Sequence, residues 1–98
     1  MDAHTKKAIW ILKRTCCKGR DIEDHMAAMQ RRRLPANRLQ YARDVAAARR
    51  QVLVRGMIET SFPATRIRDI ILEEVATLPA RQQLRFAREI YARSAGAA

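Results

Sequence analysis

RLQYARDVAAAR (residues 38–49) and QLRFAREIYARS (residues 83–94) are two copies of one stretch, and they set the helical architecture expected of the whole chain. At a constant offset of 45 residues, Leu39 matches Leu84, Ala42 matches Ala87, Arg43 matches Arg88 and Ala47 matches Ala92. Tyr41/Phe86, Asp44/Glu89 and Val45/Ile90 are conservative pairs, and each copy is introduced by Leu-Pro-Ala, at Leu34-Pro35-Ala36 and Leu78-Pro79-Ala80. Self-similarity at a fixed period marks a reused supersecondary unit. The apolar matches recur at helical spacing, so the unit is helical and the chain is predicted to be all-α.

The segments flanking the two copies bring the expected total to about five helices. With three glycines, three prolines and no alternating apolar–polar run, nothing in the chain reads as a strand. A first helix is predicted over about residues 4–17, with Ile9, Leu12 and Cys16 on one face and Trp10 off that stripe. Gly19 suits the left-handed position that ends a helix. A second helix over about residues 20–33 carries Ile22, Met26 and Met29, with Asp21, Glu23 and Asp24 in its first turn and Arg31, Arg32 and Arg33 in its last. That arrangement matches the helix dipole at both ends.

Pro35 is expected in the first turn of a long third helix, about residues 35–59, with Leu39, Ala42, Val45, Val52 and Leu53 inward and Gly56 as the first breaker. Residues 60–63 close it. A fourth helix over about residues 64–76 is expected to turn Ile67, Ile70, Ile71 and Val75 inward. Pro79 then opens a fifth, with Leu84, Ala87, Ile90 and Tyr91 inward. The whole reads as a single helical domain over residues 1–94, with unit one at about 4–49, unit two at about 50–94 and a frayed tail at 95–98. The third helix is shared by both units.

Composition narrows the function. The 98 residues carry a formal net charge of +10, and sixteen of the twenty basic residues are arginine. Arginine's planar fork of donors suits phosphates and guanine edges, so a polyanionic partner is expected. An Arg-rich helix face is also a common solvated face, and that reading stays open. No apolar run approaches the roughly 20 residues that span a bilayer. The stretch from Ala8 to Leu12 is too short for a signal-peptide core, so the chain reads as cytoplasmic without a membrane partner. Adjacent Cys16 and Cys17 seldom form a disulfide and lack C-x-x-C spacing, and His4 and His25 are far apart in sequence, so no metal is expected. No Gly-rich phosphate loop or nucleophile elbow is present, and neither an enzymatic role nor a cofactor is expected.

Helix, tight turn and short second helix is the outline of a helix-turn-helix, whose second helix enters the major groove. In unit two that second helix begins with Thr65, Arg66, Arg68 and Asp69, at the end from which bases are usually read. In unit one the equivalent helix is acidic and a poor groove reader. The alternative for Arg66 and Arg68 is charge balance with Asp69, Glu73 and Glu74 on a solvated face. Arg31, Arg32, Arg33, Arg49 and Arg50 are the next candidates for DNA contact.

The segment from Glu59 to Ile70, ETSFPATRIRDI, with the Leu78-Pro79 step after it, resembles the helix-turn-helix segment of FlhC-type flagellar transcriptional activators. That family shows a Glu-Thr pair, an apolar residue two positions on, and an Arg followed by Leu or Ile. The resemblance implies that Arg66 and Arg68 lie on a DNA-facing helix and that a heteromeric partner exists. The expectation is therefore a small basic protein that binds double-stranded DNA as a transcriptional or replicon regulator, as a homodimer or with a second protein. The alternative is a basic helical adaptor, antitoxin-like or of phage or plasmid origin, that binds an acidic protein.

Overall fold

Local chemistry sets the helix boundaries in the computed structural model, which describes residues 1–16 and 19–96. Helix α1 (Ala3–Thr15) starts at Asp2, whose carboxylate accepts from the Thr5 backbone N–H at 2.8 Å and the Thr5 hydroxyl at 2.6 Å. These bonds hold the Asp2 carboxyl below its usual range, because both act on the charged form. Helix α2 spans Arg20–Gln30 and α3 spans Pro35–Ser61. Thr65 caps α4 (Arg66–Ala76) by accepting from the Arg68 N–H at 3.2 Å. Helix α5 (Ala80–Gly96) completes an all-α order with no strand among the described residues.

The chain divides into two compact units, Met1–Arg49 and Arg50–Ala98, and α3 contributes residues to both. Each unit has the same four-part core. In the first, Ala8 and Leu12 at i, i+4 meet Met29 of α2 and Ala42 of α3. In the second, Val54 and Ile58 at i, i+4 meet Val75 of α4 and Ala87 of α5. Ala42 and Ala87 are a matched pair of the sequence repeat, and both are fully buried. A small residue there lets the helix that follows Leu-Pro-Ala approach its neighbours closely.

A pair of equivalent but unlike residues does polar work. In the first unit Arg38 donates to the Arg32 carbonyl at 2.8 Å, the Gln30 carbonyl at 3.4 Å and the Thr5 hydroxyl at 3.3 Å. Its counterpart in the second unit is Gln83, which is buried and donates to the Leu78 carbonyl at 2.7 Å. Both side chains supply donors to the segment that follows the short helix, where helical carbonyls run out of intrahelical partners.

Several expectations shift. Gly19 does take a positive φ of 85°, but as the residue before α2; α1 ends at Cys16, and the expected turn at Cys17 and Lys18 lies outside the described residues. Helix α2 stops at Gln30, so Arg31, Arg32 and Arg33 follow the helix. Gly56 does not break α3, because one glycine costs a helix only about 1 kcal/mol against alanine. Val52 and Leu53 are exposed, while Val54 and Ile58 are buried. The two stretches of α3 serve separate cores, so one continuous stripe is not required of it. Pro79 precedes α5 instead of opening it, and α5 continues to Gly96, within the tail expected to fray; Ala97 and Ala98 lie outside the described residues.

The largest correction concerns α4. Ile67 and Ile70 are exposed, at 59% and 46%, and its inner face is Ile71, Leu72 and Val75. Arg68 falls on that inner face at i, i+4, i+7 with Leu72 and Val75, and is half-buried. Tyr91 is also exposed, against the expectation that it packs inward, and so is Phe86. Trp10 is exposed and carries the Arg14 guanidinium over its ring at 4.6 Å.

Candidate nucleic-acid interface

Four identical pairs define the repeat, and three of them are leucine or alanine. The fourth, Arg43 and Arg88, is exposed in both units, and neither arginine makes a hydrogen bond or ion pair among the described residues. Arg43 lines a shallow groove of about 190 Å³ in the first unit, together with His4, Lys7, Leu39 and Ala3. Arg88 lines an open groove of about 490 Å³ along α5, together with Arg81, Arg85, Leu84, Glu89 and Ala92. Arg81, Arg85 and Arg88 stand at i, i+4, i+7, within an arc of about 60° and a rise of about 10 Å. Arg85 reaches Glu89 at 3.7 Å, but both side chains are largely exposed, so the pair holds the guanidinium weakly.

The residues expected at the DNA-facing end of α4 are placed differently. Arg66 is exposed. The Thr65 hydroxyl is engaged as a cap, and Arg68 turns its guanidinium to Asp69, at 3.2 Å from Nε and 3.1 Å from Nη2. Arg66 and Arg68 face Asp69, Glu73 and Glu74 on the same helix, which gives α4 a net charge of −1. Helix α5, with Arg81, Arg85, Arg88 and Arg93 against Glu89, carries +3. The outward face of α4 presents Ile67 and Ile70 where a groove-reading helix needs donors.

The second set of expected arginines is dispersed. Arg31 and Arg32 donate to the Ala27 and Ala28 carbonyls at 3.4 and 2.7 Å, closing the end of α2. Arg32 also lies 4.1 Å above the Tyr41 ring. Arg33 and Arg50 are exposed. Arg49 is half-buried against Asp21 at 2.6 Å. Arg55, on the second unit's stretch of α3, pairs with Glu59 at 2.7 Å, and that bond raises its pKa.

One cluster was hidden from spacing arguments. Cys16, Asp21 and His25 each bring one donor atom to within 4.8 Å of the others, all half-buried. His25 Nε2 stands 3.7 Å from Asp21 Oδ1, and Nδ1 lies 2.7 Å from the Tyr41 hydroxyl. The sequence paired Cys16 with Cys17 and His25 with His4, whereas the grouping joins the end of α1 to successive turns of α2. The i, i+4 relation of Asp21 and His25 was the legible signal. No helix among the described residues is long and apolar enough to cross a membrane. Comparison with protein-family models, with curated proteins and with solved structures finds no match.

Proposed function

We propose that the protein binds double-stranded DNA as a small transcriptional or replicon regulator, and that arginines on the two Leu-Pro-Ala helices carry the phosphate contacts. The observation behind this reading is Arg43 and Arg88. Leucine and alanine at matched repeat positions are accounted for by packing and helix propensity. An exposed arginine present in both copies, with no partner inside the described fold, is not accounted for by packing. Each stands in a groove lined by further basic side chains, His4 and Lys7 in one unit and Arg81 and Arg85 in the other. Arginine forks are suited to phosphate oxygens, and a net charge of +10 draws the chain towards a polyanion.

In this reading α4 is not the base-reading helix, because it is net acidic, its Arg68 is paired, and its exposed face sets Ile67 and Ile70 beside Asp69, Glu73 and Glu74. That face favours contact with protein, from a second copy or a heteromeric partner. The same observation supports the alternative reading, a helical adaptor in which Ile67 and Ile70 are the contact and the arginines meet an acidic protein surface. Titration of labelled duplex into the protein at two salt concentrations separates the two. Phosphate binding weakens steeply with salt, each neutralised phosphate adding about 0.9 to the log–log slope. Absence of duplex binding at low salt would rule out the DNA reading.

A further inference from the structure

We propose that Cys16, Asp21 and His25 form a binding site for a zinc-class divalent metal ion. The three donors come from different backbone positions. Cys16 is the C-terminal cap of α1, while Asp21 and His25 occupy successive turns of α2. One donor atom from each lies within 4.8 Å of the others. Tetrahedral zinc, with bonds of about 2.0–2.3 Å, needs its donors about 3.3–3.7 Å apart. The longest separation must therefore close by only about 1 Å, a side-chain adjustment. Thiolate, imidazole and carboxylate together suit a borderline metal; magnesium and calcium prefer all-oxygen sites.

The contact behind His25 is what distinguishes this cluster from a chance meeting of polar groups. Metal-bound histidines characteristically give their second ring nitrogen to an outer partner, which fixes tautomer and ring angle. Here the Tyr41 hydroxyl sits 2.7 Å from Nδ1. With Nδ1–H donating to that oxygen, the lone pair rests on Nε2, the nitrogen that stands 3.7 Å from Asp21 Oδ1. Tyr41 is itself positioned, packed on the first unit's core with Arg32 over its ring.

The same arrangement argues against a thiol relay of the Cys–His–Asp kind. A relay needs the two ring nitrogens to serve thiol and carboxylate separately, and one of them is committed to Tyr41. Asp21 Oδ1, the oxygen that faces His25, is shared with Arg49 Nη2 at 2.6 Å, which fixes where the carboxylate stands. The thiolate and carboxylate match the two charges of the ion, and metal entry displaces the thiol proton to solvent. Three protein donors leave a fourth position for water or an outside ligand.

The test is titration of chelator-treated, reduced protein with cobalt(II), which reports thiolate ligation by a near-ultraviolet charge-transfer band and tetrahedral geometry by its visible bands. The expected result is one cobalt per chain, displaced by zinc. Cys16→Ser abolishes the charge-transfer band and His25→Gln weakens binding at least tenfold. Tyr41→Phe keeps the band but weakens binding about tenfold, as loss of an outer partner does. Asp24→Asn, at a neighbouring carboxylate that pairs with Arg20 instead, leaves binding unchanged. Far-ultraviolet dichroism shows which variants keep their helices, and His25→Gln decides the matter if Cys16→Ser does not fold. A titration with no charge-transfer band, a band that survives Cys16→Ser in folded protein, or equal affinity in His25→Gln would overturn the site.

Discussion

Replacing Arg81, Arg85 and Arg88 together by glutamine removes three positive charges from one face of α5 while keeping polarity and a similar helix propensity. Each of the three side chains is exposed, and Arg81 and Arg88 make no ion pair among the described residues, so the fold loses little. If each guanidinium neutralises one phosphate, the log–log salt slope falls by about 2.7, three contacts at about 0.9 each. A fourfold rise in salt, from about 50 to about 200 mM, then erodes the wild type's advantage over the variant by about 40-fold. Fluorescence anisotropy of a short labelled duplex at those two salt concentrations measures this directly. Arg66→Gln on α4 is the comparison, with no change in slope expected. An unchanged slope in the triple variant would refute the assignment of α5. So would a slope that Arg66→Gln lowers as much on its own.

Other outcomes follow from packing and local chemistry. Leu12→Ala, at a fully buried side chain of the first core, should cost about 2–5 kcal/mol in urea unfolding, whereas Leu53→Ala, at a half-exposed leucine, should cost well under half as much. Equal losses would mean that the buried faces of α1 and α3 are wrong. Gly56→Ala should stabilise by about 0.5–1 kcal/mol, since an added Cβ meets nothing within 4 Å and the position is helical; a lower thermal midpoint would contradict that placement. Asp2 has a carboxyl pKa lowered in the folded state, so its stabilising effect is present above the ordinary carboxylate range and is lost as pH falls through the folded value. Asp2→Asn should therefore lower the thermal midpoint near neutral pH, with the gap to wild type closing below about pH 4. A gap that is constant across that range would show that the Thr5 bonds do not depend on charge.

The repeat made much of the fold legible. Leu-Pro-Ala located the starts of α3 and α5 to within a residue, and helical spacing alone marks Ala42 and Ala87 as inner positions. The rotation of α4 was not legible, because its sequence supports two overlapping apolar faces. Ile67, Ile70 and Ile71 fit one, and Ile71, Leu72 and Val75 fit the other. Periodicity alone cannot choose between them; packing on Val54 and Ile58 does, and it carries Arg68 inward. At the candidate sites, charge pointed to arginine in general but not to the arginines that lack internal partners. Arg43 and Arg88 stand out in the sequence as an identical pair, but a pairwise match carries no information on exposure. The cysteine–aspartate–histidine grouping stayed hidden because neighbours in sequence were weighed in place of neighbours across a turn.

Arg38 and Gln83 show that two equivalent positions can share a task without sharing a residue. The two side chains differ in charge, length and geometry, and a residue-by-residue comparison scores them as a mismatch. Both nevertheless give N–H groups to peptide oxygens at or just after the end of the short helix. The requirement at this position is an obligation of the main chain, and any long side chain with a suitably aimed N–H can meet it. The likeness of the two halves thus lies in a shared task as well as in shared residues.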